Sequence, residues 1–149
     1  MEGVVIQVKQ KKGCEDLPLP AYMSSGAAGM DLYADVRDAV TIEPGQITLI
    51  SAGIYISIPA GYEAQIRPRS GLALKHGIGM VNSPGTIDAD YRGLINLILI
   101  NFGQQPYVLR RGARIAQMVV NRVIRAEWQA VEELDPTARA DGGFGHTGV

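Results

Sequence analysis

The chain contains one cysteine, one tryptophan, two phenylalanines and two histidines in 149 residues. One thiol cannot close an intrachain disulfide, so packing has to supply the stability, and such cysteine usage fits a reducing compartment. Cys14 therefore reads as an inert thiol, and no His or Cys cluster suggests zinc. Charge of one sign is not in excess either. Fourteen Lys and Arg stand against fifteen Asp and Glu, a formal net of -1, so the basic footprint of a protein that grips polymeric DNA or RNA is missing. The longest apolar stretch, LINLILINF, falls far short of the ~20 residues of a membrane helix. The opening MEGVVIQVKQKKG puts its apolar run before the lysines, the reverse of a secretory signal. No export, no transit peptide and no membrane association are expected, and the location expected is the cytoplasm.

What is present is alternation. A chain of this length makes one domain able to bury a real core. In GIYISIP the residues Ile54, Ile56 and Ile58 fall on one side and Tyr55 and Ser57 on the other, a period of two. VVIQVKQ, ITLI, YEAQIR, LINLILI, PYVL, RIAQMVV and AEWQAV read as strands in the same way. LINLILI, apolar at nearly every position, reads as buried on both faces, although a plain sandwich core would account for it too. Between the runs stand EPGQ, PAGY, FGQQP and RRGA, each with the glycine or proline of a tight reversal. The expectation is an all-β sandwich or jelly roll.

Five stretches break this pattern. RSGLALKHG offers Ser70 as an N-cap, then helix formers, then Gly77 as a stop, and Arg67 and Arg69 precede it where a helix start favours an anion. A plain capped helix would read the same. GMVNSPGTIDADYRGLI sets Asn82, Asp88 and Tyr91 among turn residues. An Asn amide can pair with a base edge, an aromatic ring can pack on a sugar, and a carboxylate can polarise water, but a polar turn with local bonds would look alike. GMDLYA carries Asp31 inside an apolar run and RRGARIAQMVV carries Gln117, either of which could be an ordinary strand position. The final ADGGFGHTGV sets glycines around Phe144 but lacks the ending of a P-loop.

In this order AAGMDLYA, PRSGLA, VNSPGTIDADYRG, RRGARIAQ and RADGGFGHTG resemble the five motifs of the trimeric, all-β dUTP diphosphatase (dUTPase) family, covering the chain from about Ala27 to its end. The resemblance implies a jelly-roll-like β-sandwich over residues 1–136 with one short helix, a flexible glycine-rich arm at 137–149, and a homotrimer with shared active sites. It implies hydrolysis of dUTP to dUMP and pyrophosphate by water attack on the α-phosphate, which limits uracil incorporation into DNA and supplies dUMP for dTMP synthesis.

By the same resemblance Asp88 is the general base and Tyr91 packs on the deoxyribose. Asn82, with Gly85, Thr86 and Ile87 of the hairpin, reads the uracil edge and rejects the 5-methyl of thymine. Arg69, Ser70 and Gly71 hold phosphates, with Gln117 near the α-phosphate. Mg²⁺ bridges the phosphates and meets Asp31 through water. In the arm Phe144 stacks on the uracil, Gly145 lets the backbone pass close, and Arg139 and Thr147 reach the terminal phosphates. Ala140 and His146 depart from the family's usual glycine and serine. A dCTP deaminase-like enzyme of related fold and a non-catalytic nucleotide-binding trimer are the alternatives, the first expected to replace IDADY and lack the arm, the second to lack Asp88.

Overall fold

The runs ITLI and GIYISI do not form two strands. They join into one eleven-residue strand, β4 (Ile47–Ser57), because Gly53 sits at φ +68° where the register against its neighbour shifts between Ser51 and Tyr55. A glycine bulge bends a strand without ending it. The computed structural model describes residues 3–143. Among them the order is β1 (Gln7–Gln10), β2 (Met30–Tyr33), β3 (Val40–Ile42), β4, β5 (Tyr62–Pro68), α1 (Ser70–His76), β6 (Ile78–Met80), β7 (Gly85–Ile87), β8 (Leu94–Asn101), β9 (Tyr107–Leu109) and β10 (Arg114–Arg122). β1-β4-β8-β6 make one sheet, β2-β10-β5-β7 a second, and β3-β9 a small third, with every pairing antiparallel.

The core lies between the two larger sheets. Ile54 and Ile56 from β4, Ile66 from β5, Ile95, Leu97 and Leu99 from β8, and Ala116 and Met118 from β10 pack into one buried cluster with Ile58 just beyond β4. Each large aliphatic side chain so buried contributes roughly 1.5–3 kcal/mol.

LINLILI differs from its expected burial. Ile95, Leu97 and Leu99 are sealed in the core, but Asn96 is exposed and Ile98 and Ile100 are only half-buried. Ile98 and Ile100 pair across the sheet with Leu49 and Ile47, both exposed, so the outer face of this sheet carries an apolar patch. AEWQAV is a second difference, since the described residues after β10 form no strand. Ile124 is 94 % exposed, Trp128 97 % and Leu134 84 %. Alternation makes a segment fit to be a strand, but a strand exists only where another one pairs with it, and none among the described residues pairs with this segment.

An ion-pair cluster ties the loop after β1 to the sandwich. Arg111 meets Asp16 at 2.7 Å and Asp35 at 3.0 Å and donates to the Gly13 carbonyl, while Lys11 meets Asp35 at 2.6 Å. Burial pushes the Asp35 carboxyl up, but hydrogen bonds from Lys11, the Cys14 thiol, Arg111 and Ser51 outweigh it and bring the group down to about 2. A carboxyl lowered in the folded state stabilises above its unfolded value of ~3.9, and that contribution is lost as pH falls toward 2. Wild type is therefore expected to lose roughly 2 kcal/mol from this group alone between pH 5 and pH 2. Asp35→Asn should be less stable at pH 7 and show a shallower acid loss in denaturant unfolding; equal pH slopes for the two proteins would remove Asp35 as the cause.

Candidate active site

The hairpin begins where β6 ends. Val81 donates to the Ile98 carbonyl as the last bond on that side of β8, and the chain then turns away at Asn82. By the alternation of the ladder, the N–H and C=O of Asn96 point to the same side, toward the space β6 has left. β7 returns along β5, with Gly85 opposite Ile66 and Thr86 opposite Gln65. A Cβ at Gly85 would lie 3.1 Å from Asn82 Nδ2, so glycine here lets the Asn82 amide fold close to β7. The next turn is closed by its own groups. Tyr91 N donates to the Asp88 carbonyl at 3.1 Å, and Arg92 Nη1 donates to Ala89 O at 2.6 Å and Tyr91 O at 2.8 Å. Tyr91 Oη donates to the Leu94 carbonyl at 3.1 Å, and its ring lies over Gly93 where any Cβ would collide with it.

These turns enclose a cavity of about 190 Å³. Ile66, Met80, Ile87 and Leu94 line it together with Gly85, Asn82, Thr86, Asp88, Tyr91 and Asn96. All six residues singled out from the hairpin sequence are thus brought to one hollow. Asp88 is exposed, and its carboxylate has no hydrogen bond or ion pair among the described residues. A free carboxylate at a cavity rim can accept a proton from water, whereas one engaged by an arginine is a poorer base. Asn96 was not anticipated, and the signal available was an asparagine inside an otherwise apolar run. Larger hollows of about 850 and 810 Å³ exist, the second also bordered by Asp88, but neither contains Asn82, Thr86 or Tyr91.

A second group gathers on the other sheet. Asp31 of β2, Gln117 of β10 and Arg67 of β5 are direct cross-strand partners and share one face. Asp31 is buried and binds Arg69 Nε at 3.0 Å through Oδ1 and Arg114 Nη1 at 3.2 Å through Oδ2. Arg69 also donates to the Arg114 carbonyl, and Gln117 Nε2 donates to the Pro68 carbonyl. A Cβ at Gly29 would stand 2.5 Å from Gln117 Oε1, so glycine keeps that amide in place. Arg114 is a further residue the sequence reading did not select, though it lies in the quoted RRGARIAQ. Ser70 is not the N-cap. Arg69 occupies that position with extended backbone, no side chain caps the helix, and Ser70 and Gly71 begin α1 exposed; Gly77 ends it in the left-handed region, as expected. The proline before Arg69 belongs to β5, extended backbone ends at Arg69, and the helix starts one residue sooner than the Ser70 signal implies.

The carboxylate expected to face a metal is thus already held by two guanidinium groups, and the described residues contain no group of three or more His, Cys, Asp or Glu that could cage an ion. Such a donor set fits only a cation held mainly by other ligands and water. No residue of the arginine group lines the 190 Å³ cavity.

In the tail, Arg139 is exposed and its Nε donates to the Gly142 carbonyl at 2.8 Å. Ala140 stands at φ +46°, where a glycine would sit without strain. Phe144, Gly145 and Thr147 lie outside the described residues.

A dUTPase family model matches residues 15–148. The deoxyuridine 5'-triphosphate nucleotidohydrolase of Caldanaerobacter subterraneus subsp. tengcongensis is 61 % identical over 147 residues, covering 99 % of each chain. Among solved structures, the dUTPase of Staphylococcus bacteriophage 80alpha with dUPNHPP superposes with a TM-score of 0.87 at 25 % identity, covering 97 % of this chain and 99 % of that one. A point mutant of the dUTPase from phage phi11 of S. aureus, described for the coordination of a structural Mg(II) ion, gives a TM-score of 0.77 at 23 % identity over 87 % of this chain and 98 % of that one, which speaks for the fold. A family match over nearly the whole length, joined to an unpaired carboxylate beside a tyrosine in a small cavity, leads to one conclusion: the chain belongs to the dUTPase family.

Proposed function

We propose that the cavity at Asp88 holds the nucleoside in this enzyme, a dUTP diphosphatase that converts dUTP and water to dUMP and pyrophosphate. The observation that carries the assignment is the unpartnered Asp88 carboxylate on the same hollow as Tyr91 and Asn82. Asp88 orients a water and takes its proton as the water attacks the α-phosphorus in line with the leaving pyrophosphate. Tyr91, fixed over Gly93 by its bond to Leu94, packs on the deoxyribose and leaves no room for a 2′-hydroxyl. Asn82 and the backbone groups of Gly85, Thr86, Ile87 and Asn96 read the uracil edge, because a buried donor or acceptor left unpaired by the wrong base costs about 1–3 kcal/mol.

The phosphates fall to Arg69, Ser70, Gly71 and Gln117, with Arg114 beside them. A hollow of 190 Å³ is smaller than the ~300–1,000 Å³ of a complete ligand pocket, and the arginine group lies outside it. A homotrimer that sets one chain's hairpin against another chain's arginines supplies both halves. The apolar outer face of Ile47, Leu49, Ile98 and Ile100 and the exposed Ile124, Trp128 and Leu134 are surfaces such an assembly would cover. Residues 1–136 form the core in this reading and 137–149 the arm, which brings Arg139, Phe144, Gly145 and Thr147 to the site. Mg²⁺ would be held chiefly by phosphate oxygens and water, with Asp31 in reach through water, and when bound it neutralises phosphate charge. We read the enzyme as cytoplasmic from its cysteine usage. Family and relatives support the hydrolase over the deaminase alternative.

The test is pyrophosphate release from dUTP, UTP, dCTP and dTTP side by side. Wild type should turn over dUTP far better than the other three. Tyr91→Ala should lower the ratio of dUTP to UTP efficiency by roughly tenfold or more, the scale of one well-packed contact. An unchanged ratio in a folded variant would place sugar selection elsewhere.

A further inference from the structure

The row Asp31, Gln117 and Arg67 contains a cation that the assigned site leaves unused. Ala64 and Ile66 of β5 face the core, so Arg67, Gln65 and Glu63 face outward, and Arg67 stands directly across from Gln117. Opposed residues of this kind have Cβ atoms ~4.5–5.5 Å apart. Two guanidinium groups, from Arg69 and Arg114, therefore hold the Asp31 carboxylate, and a third, Arg67, stands in the same cross-strand row on the far side of Gln117. Arg69 and Arg114 occupy both oxygens of Asp31, whereas Arg67 is exposed and donates only to the neutral Gln65 Oε1 at 2.8 Å. Gln65 in turn donates to Glu63 at 2.8 Å, so the acid reaches Arg67 only through an amide. The face carries more positive charge than it neutralises, and of the three arginines Arg67 alone has no acidic partner among the described residues, only a weak, easily exchanged amide.

We infer that Arg67 is a further phosphate-binding residue, which turns from Gln65 to the triphosphate and holds the pyrophosphate end of it. The inference rests on the phosphates occupying the face of Arg69 and Gln117. Planar guanidinium groups match phosphate oxygens two at a time, and a cation on an open face both draws the polyanion in and keeps it there.

The experiment compares wild type, Arg67→Gln, Arg67→Lys and Gln65→Leu in steady-state turnover of dUTP over a series of salt concentrations, together with inhibition by pyrophosphate and by deoxyuridine. Arg67→Gln should raise KM by about three- to tenfold while kcat stays within about twofold, the scale of one partly exposed charge contact. Its plot of log(kcat/KM) against log salt should be shallower than that of wild type, because one charge fewer steers the substrate. Pyrophosphate should inhibit it more weakly by the same factor, with deoxyuridine, which has no phosphate, unchanged. Arg67→Lys should keep most of the salt slope, and Gln65→Leu, which removes only the resting partner, should not raise KM. A purely structural role would lower the melting temperature without moving the salt slope. An Arg67→Gln slope and pyrophosphate inhibition equal to wild type, with wild type active on dUTP, overturn the role of Arg67 alone. A wild type inactive on dUTP would instead overturn the site assignment, and the direct affinities of both proteins for pyrophosphate would still decide Arg67.

Discussion

Asp88→Asn is expected to bind nucleotide as wild type does and to lose turnover by roughly 10²–10⁴-fold, the usual contribution of a positioned general base. The amide fills the same space but accepts no proton from the attacking water. The site makes this a clean measurement. Asp88 is exposed at the rim of the hollow and no described side chain or backbone donor binds its carboxylate, so the substitution strands no partner and should leave thermal stability within about 0.5 kcal/mol. The turn is held by the Asp88 backbone carbonyl, which the variant keeps. Nucleotide affinity from calorimetry and single-turnover rates with dUTP separate binding from chemistry. Near-normal turnover in the folded variant would remove Asp88 from the mechanism.

Cutting the chain after Arg139 should be nearly as severe for turnover and almost silent for folding. The described residues beyond that point form no strand, contribute nothing to the buried cluster and bond only locally, Ala140 to Thr137 and Arg139 to Gly142. Ends of this kind are removed without loss of the core. Turnover should collapse, because in the proposed site closure of the arm excludes water and aligns the triphosphate for in-line attack. Phe144→Ala should be milder, losing mainly the ~1–3 kcal/mol of a base stacked on an aromatic ring. Truncated chains mixed with Asp88→Asn chains should recover part of the activity, since a mixed trimer can draw an intact hairpin from one copy and an intact arm from another. Mixed trimers shown to form without any recovery would mean that the arm serves the site of its own chain.

Much of this molecule was legible in the alternation of its residues. Ile54, Ile56 and Ile58 face the core together and Gly77 ends the helix in the left-handed region, both as their spacing implied, and Asn82, Gly85, Thr86, Ile87, Asp88 and Tyr91 of the hairpin line one hollow. These are local properties. The period of side-chain direction, the freedom of glycine at positive φ and the reach of a side chain across a turn depend on a few neighbouring residues, so they can be read from a string.

What only the tertiary structure decided was pairing. It joined two expected strands through Gly53 into one, and it left AEWQAV with no partner strand among the described residues although its pattern is a strand's. It moved the helix cap from Ser70 to Arg69, since the extended backbone of β5 runs up to that residue. It placed Arg114 and Arg69 on the two oxygens of Asp31 and Arg67 beside Gln117, joining residues up to 83 positions apart. It turned the backbone of Asn96 toward the hollow beside Asp88 by ending β6 before reaching it. Each of these depends on which strand lies next to which and in what register, and register is settled by burying one face of every strand at once, a property of the whole sandwich that no single stretch of sequence contains.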